Sequence, residues 1–278
     1  MTALTLRAEK YHALGNDFLI TTADPALVHS DPGLVARVCD RRRGIGADGI
    51  IFLALAARSS PSMVLYNSDG TPAETSGNGL RCVALYLAHS GVARSPSVAI
   101  ESGGRLLEAR VGDRLSSSCA EVTVSMGEVT VSEDGSAADG RGVGPYRAFA
   151  VAMGNSHLVL FGRLPSPDEL EERGRLLVAA RPGGQNVEFA ELAADGVLAL
   201  RVFERGAGVT EACGSGSCAA AAAARLAGLV GDVVAVENPG GLLTVELEGE
   251  LASPTVRLTG PACRVGSVEM NLEEGAHR

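Results

Sequence analysis

The feature that most constrains how this chain folds is a repeat within it. Ala13-Leu14-Gly15-Asn16-Asp17-Phe18-Leu19-Ile20 recurs in pattern as Ala152-Met153-Gly154-Asn155-Ser156-His157-Leu158-Val159, displaced by 139 positions (13 to 152). Glu74-Thr75-Ser76-Gly77-Asn78-Gly79 recurs as Glu211-Ala212-Cys213-Gly214-Ser215-Gly216, displaced by 137 (74 to 211). Nearly equal displacements, each about half of the 278 residues, indicate one domain present twice. A chain of this length also exceeds the usual reach of a single core, which favours two medium domains. The expected division is 1–118 and 119–264, with 265–278 a candidate to return to the first half and the polar segment 112–118 as the crossover.

Each half reads as short β-rich runs leading into one conspicuous helix. Aliphatic or alternating runs bounded by Gly, Pro or Ser predict strands at 49–54, 62–66, 97–101 and 105–111 in the first half. In the second they predict strands at 121–125, 146–153, 158–161, 197–203, 233–237, 242–247 and 255–258. Helices are expected directly after the glycine loops, at 80–88 and 217–226, stopped near Gly91 and Gly228. The six alanines 219–224 combine the best helix former with almost no side-chain volume, so neighbouring elements can approach the backbone closely. The Gly-, Asp- and Ser-rich stretch 133–144 is expected to be a surface loop.

Charge and composition exclude several function classes. The net charge is −9 and the cations are scattered apart from Arg41-Arg42-Arg43, which argues against a nucleic-acid or anionic-membrane surface. No apolar stretch approaches a membrane span and the N-terminus lacks a signal-peptide core, so a cytoplasmic protein is expected. The six cysteines form no CxxC pair of the zinc type and are expected to be free thiols.

The glycine loops carry the chemistry. Backbone N–H groups at a helix start have no intrahelical partner and the macrodipole favours negative charge, so a carboxylate can bind there without Lys or Arg. The same field is expected to lower the pKa of the Cys213 thiol and supply a thiolate base. Pseudo-twofold symmetry would set Ser76 opposite Cys213 across a bound carbon, the geometry for inverting a stereocentre. The plain alternative is a buried structural thiol beside tight turns. A second alternative is the dinucleotide pattern GxGxxA, matched by Gly214-Ser215-Gly216-Ser217-Cys218-Ala219 with Glu237 downstream. That pattern needs glycines directly after a strand, whereas 204–212 intervenes.

With these residues in hand, the chain resembles the PLP-independent diaminopimelate epimerases. The matching segments are His12-Ala13-Leu14-Gly15-Asn16-Asp17-Phe18, Arg43-Gly44-Ile45-Gly46-Ala47-Asp48-Gly49, Tyr66-Asn67-Ser68-Asp69-Gly70, Gly77-Asn78-Gly79-Leu80-Arg81-Cys82, Gly154-Asn155-Ser156-His157, Asn186-Val187-Glu188-Phe189, Glu204-Arg205-Gly206-Ala207-Gly208, Ala212-Cys213-Gly214-Ser215-Gly216 and Pro239-Gly240-Gly241. They follow the family's order over nearly the whole chain.

The resemblance implies an α+β fold of two similar domains, each wrapping strands around a central helix, with the ligand in the cleft between them. It implies a cytoplasmic homodimer without cofactor or metal that converts LL- to meso-diaminopimelate through a thiolate base and a thiol acid. Cys213 matches one of the two catalytic positions. Asn16, Asn67, Asn155, Asn186, Glu204 and Arg205 match positions that hold the substrate, and Gly77, Asn78, Gly214 and Ser215 match donors to the carboxylate at the reacting centre. Three residues depart from the pattern: Ser76 stands where a cysteine is usual, Val209 where Glu is frequent, and Ser156 where Pro is usual. An alcohol can donate a proton yet abstracts one poorly, so Ser76 would need help from a neighbour such as His157, which could equally be a structural residue. Two other readings stay open: a one-base isomerase or lyase acting on another amino acid, and a non-catalytic amino-acid-binding homologue.

Overall fold

A computed structural model describes residues 4–55, 60–73, 76–134 and 146–272. The chain forms two compact units, residues 1–122 with 261–278 and residues 123–260.

Unit 1 opens with the hairpin β1 (Leu4–Ala13) and β2 (Asn16–Thr21), which pair antiparallel around Leu14-Gly15. The short helices α1 (Ala26–Ser30) and α2 (Leu34–Cys39) follow, then β3 (Gly49–Ala54), parallel to β2, and β4 (Ser62–Asn67), antiparallel to β3. Helix α3 (Gly77–His89) leads to β5 (Ser97–Ser102) and β6 (Arg105–Arg114). Leu14 and Gly15 both take positive φ, which closes the β1–β2 turn.

Strand β7 (Cys119–Glu128) begins in unit 1 and ends in unit 2, which continues through β8 (Thr130–Glu133), β9 (Arg147–Ala152) and β10 (Ser156–Phe161). Helix α4 (Pro167–Ala179) precedes β11 (Asn186–Leu192), β12 (Leu198–Glu204) and β13 (Gly208–Thr210). Helix α5 (Gly214–Leu226), β14 (Val233–Asn238), β15 (Gly241–Glu248) and the long β16 (Thr255–Leu272) complete the chain, and the end of β16 returns to pair with β1.

The repeat is visible in the hydrogen-bond register. In unit 1 the parallel pair β2–β3 aligns Phe18 with Gly49 and Ile20 with Ile51. In unit 2 the parallel pair β10–β11 aligns His157 with Asn186 and Val159 with Glu188. Parity then sends alternate residues to opposite faces. Leu19, Ile50 and Phe52 pack with Val35 and Val38 of α2, while Leu158, Leu160, Val187 and Phe189 pack with Leu170 and Leu177 of α4. The other face of each sheet meets the long helix. Helix α5 touches β8, β9, β10, β11, β12, β14 and β15, and α3 touches β1, β2, β5 and β6, so in each unit the strands surround one buried helix. Ala219–Ala224 are all fully buried, and their small side chains let strands lie on every side of α5.

Several expectations need correction. Both helices start three residues earlier than predicted, at Gly77 and Gly214, because Ser76 and Cys213 cap them. Strands β1, β2, β8, β11 and β13 and helices α1, α2 and α4 were not anticipated from the pattern. Residues 112–114 end β6 and 115–118 turn back into β7, with Leu115 N–H donating to the Cys119 carbonyl, so this segment is a hairpin end. Of the stretch expected to be a loop, Glu133 closes β8 and 135–145 lie outside the described residues. The free-thiol expectation fails for two cysteines: Cys119 and Cys263 form a disulfide across 144 residues. The Arg264 N–H bonds the Ser118 carbonyl, which sets β7 and β16 side by side there, a proximity no sequence spacing reveals. Among the described residues no helix is long and apolar enough to cross a membrane.

Candidate active site

Each unit presents the same device at the start of its long helix. Ser76 sits in extended backbone ahead of α3 and its Oγ accepts the Gly79 N–H at 3.1 Å. Cys213 sits in extended backbone ahead of α5 and its Sγ accepts the Gly216 N–H at 3.3 Å. A Ser cap is ordinary, whereas a thiol is a weak acceptor and a poor choice for capping alone. The glycines allow close approach: a Cβ on Gly79 would lie 3.4 Å from Ile51 Cδ1, and one on Gly216 would lie 2.8 Å from Glu188 Oε1.

Behind Ser76 runs a chain of polar contacts. Asp48 Oδ2 accepts Asn16 Nδ2–H at 2.9 Å, Asn16 Oδ1 accepts Asn78 Nδ2–H at 3.0 Å, and Asn78 Oδ1 accepts Arg81 Nη2–H at 2.8 Å. Arg81 is fully buried, and Gly77 and Asn78 are buried beside it. Asp48 is in turn tied to Asp17 and Arg41. Burial pushes the Asp17 carboxyl up, but hydrogen bonds and charge from Arg41 and Lys10 outweigh it and hold the group at about 2. Asn67 is exposed at the end of β4, its amide donating to Thr71 Oγ1 at 3.0 Å.

Behind Cys213 the surroundings are ionisable. His157 Nδ1 lies 2.7 Å from Glu188 Oε1 and its Nε2 lies 2.9 Å from Asn155 Oδ1, with both His157 and Glu188 at 0% exposure. Ser215 Oγ is 3.5 Å from Cys213 Sγ, and Glu204 hydrogen-bonds the same sulfur and accepts Thr210 Oγ1–H at 2.6 Å. Asn186 Oδ1 accepts the Arg205 N–H at 2.9 Å, and Arg205 Nη1 donates to the Gly183 carbonyl at 2.8 Å. Gly214 is the first residue of α5 and is buried.

The electrostatics differ from the simple helix-dipole expectation. Burial raises the Cys213 thiol well above its ordinary range, and the neighbouring Glu204 and Glu188 carboxylates raise it further. The Ser215 hydroxyl and Gly216 N–H oppose this without prevailing. Burial likewise raises the Glu204 carboxyl, and Glu188 adds to it. Cys213 is therefore held as a thiol, next to a carboxylate whose affinity for a proton is raised.

Unit 1 thus gathers Ser76, Gly77, Asn78 and Asn16, and unit 2 gathers Cys213, Gly214, Ser215, His157, Asn155, Glu204, Asn186 and Arg205. Asn67 is the outlier, bonded within its own turn. Sequence reasoning gives no role to Glu188, Asp48 or Thr210. The available signal for Glu188 is a lone acid inside Asn186-Val187-Glu188-Phe189-Ala190, a run whose five residues are all buried. The dinucleotide alternative loses ground, because α5 follows a three-residue antiparallel strand and Gly216 faces a carboxylate where a phosphate would be needed. Among the described residues no group of three or more His, Cys, Asp or Glu side chains is arranged to hold a metal.

The family model described as diaminopimelate epimerase matches residues 8–132 and 149–265. The chain is 38% identical to a diaminopimelate epimerase of Desulforudis audaxviator over 270 residues, covering 91% of this chain and 95% of the relative. It is 35% identical to one of Pelotomaculum thermopropionicum, covering 94% and 97%. A solved hydroxyproline epimerase from Agrobacterium vitis, with trans-4-hydroxy-L-proline bound, shares the fold with a TM-score of 0.77 at 19% identity, over 99% of this chain and 94% of that one. The matched span and the identities together place this chain in the diaminopimelate epimerase family.

Proposed function

We propose that this protein is a cofactor-independent isomerase that inverts one α-carbon of diaminopimelate, LL to meso, with Cys213 as base and Ser76 as acid. The observation that carries the reading is the repeated cap: a side chain able to exchange protons stands at the head of a glycine-rich helix start in each unit. The substrate follows from the relatives' names, and a soluble homodimer serving lysine biosynthesis is the setting that fits them.

Glu204, bonded to the sulfur and with a raised carboxyl, accepts the Cys213 proton, and the thiolate takes the α-hydrogen. A thiolate whose parent thiol has a raised pKa is the stronger base once formed. Charge that moves onto the substrate carboxylate meets the backbone N–H groups that open a long helix, those of Gly77 and Asn78 or of Gly214 and Ser215. The Ser76 hydroxyl protonates the opposite face of the carbon, and a proton from His157 returns to the Ser76 oxygen, so no free alkoxide accumulates. Arg205 suits the distal carboxylate, since its planar fork can bind it bidentately.

Incubating the protein with LL-diaminopimelate and following it by chiral chromatography and mass should give the meso isomer with no change in mass. Release of water or ammonia would instead support a lyase, and ligand-dependent stabilisation without conversion would support a binding protein.

A further inference from the structure

The two units fill one equivalent position with opposite chemistry. The third residue of each long helix, Gly79 or Gly216, packs against the parallel strand beneath it. There unit 1 offers Ile51 and unit 2 offers Glu188. One strand over, the repeat sets Phe18 against His157, since Phe18 pairs with Gly49 and His157 with Asn186, two residues before Ile51 and Glu188 respectively. Phe18 and Ile51 are buried and apolar, so this fold closes its core at that position without a polar group. Burying a carboxylate and an imidazole together costs desolvation that an apolar pair avoids, which makes the pair a poor choice for stability alone. Glu188 Oε2 is buried without a hydrogen-bond partner among the described residues, so the carboxylate is only half satisfied by His157.

We propose that Glu188 is a positioning residue: its carboxylate accepts the Nδ1–H of His157 at 2.7 Å and leaves Nε2 as the ring nitrogen that gives and takes a proton. Nε2 lies 2.9 Å from Oδ1 of Asn155, a candidate substrate contact. The inference rests on the proton-return role given to His157 above. In that step the Nε2 proton passes to the Ser76 oxygen as the hydroxyl proton passes to carbon. The ring ends neutral with Nδ1–H intact, and Glu188 stays a carboxylate throughout. The other titratable groups around the pair are Glu204 on β12 and Cys213 at the head of α5.

The test uses the full-length protein with 15N-labelled histidine. The wild type should show His157 protonated at Nδ1. Glu188→Leu, which borrows the apolar character of unit 1, should lose that signature and lower kcat about 100-fold with KM within about twofold. Glu188→Gln keeps an acceptor but not the charge, so its kcat should fall between the two. The double variant His157→Phe/Glu188→Ile copies the unit 1 pair and should melt no lower than the wild type while remaining inactive. A wild-type ring protonated only at Nε2, or a Glu188→Leu variant with unchanged ring signals and unchanged kcat, would overturn the proposal. Failure of the wild type on diaminopimelate would overturn the substrate reading alone, because the ring signature is read without substrate.

Discussion

Cys213→Ala should lower the rate of α-proton exchange by about 10²- to 10⁴-fold, the range expected when a positioned acid–base group is removed. The loss should appear in kcat with the protein still folded. Alanine removes an Sγ cap that receives one N–H at 3.3 Å, and a weak sulfur cap contributes at most about 1 kcal/mol to the helix. Circular dichroism and a melting curve beside the exchange assay separate the two effects. Retention of a tenth or more of the wild-type rate would remove Cys213 from the base role. Ser76→Ala should do less harm to exchange in the direction where Cys213 abstracts, because the first proton still leaves.

Gly44→Ala should destabilise unit 1 by about 3 kcal/mol or more, the upper range for forced overpacking. An added Cβ would collide with the Arg37 carbonyl oxygen and lie 2.6 Å from that of Val38, and neither backbone atom can move without breaking α2. The carbonyl of Val38 already accepts the N–H groups of Ile45 and Gly46, so the loop is fastened to the end of that helix. The same loop delivers Asp48 to Asn16, and Asn16 to Asn78. Denaturant unfolding should therefore show the loss of stability, and surviving folded protein should bind substrate more weakly. A Gly44→Ala protein with an unchanged midpoint and slope would contradict this account of the loop.

Much of this architecture is legible in the sequence, for identifiable reasons. The duplication shows because both glycine loops must keep residues that fit a helix start, so Ser76-Gly77-Asn78-Gly79 and Cys213-Gly214-Ser215-Gly216 stay recognisably alike. Strands such as Gly49–Ala54 show because they are short, aliphatic and punctuated. Strand β1 does not announce itself, since Arg7, Glu9 and Lys10 break up its apolar residues and its long partner is some 260 residues away. Helix α4 carries a legible start, Ser166 and Glu169 forming a capping box around Pro167, but its buried residues are only Leu170, Gly174 and Leu177. The Glu188–His157 pair is invisible to periodicity: only the register of β10 against β11 shows that the two side chains meet. The raised Cys213 thiol is likewise a tertiary effect, since the helix start alone argues for the opposite direction.

The duplicated fold has become chemically unequal, with a thiol and its ionisable neighbours at one helix start and an alcohol at the other. The direct measurement is the initial rate at which solvent deuterium enters the α-carbon, taken separately from LL- and from meso-diaminopimelate, for the wild type and for Ser76→Cys. In the wild type the isomer whose α-hydrogen faces Cys213 should exchange much faster than the other, and Ser76→Cys should narrow the difference. Equal and fast exchange from both isomers in the wild type would contradict it.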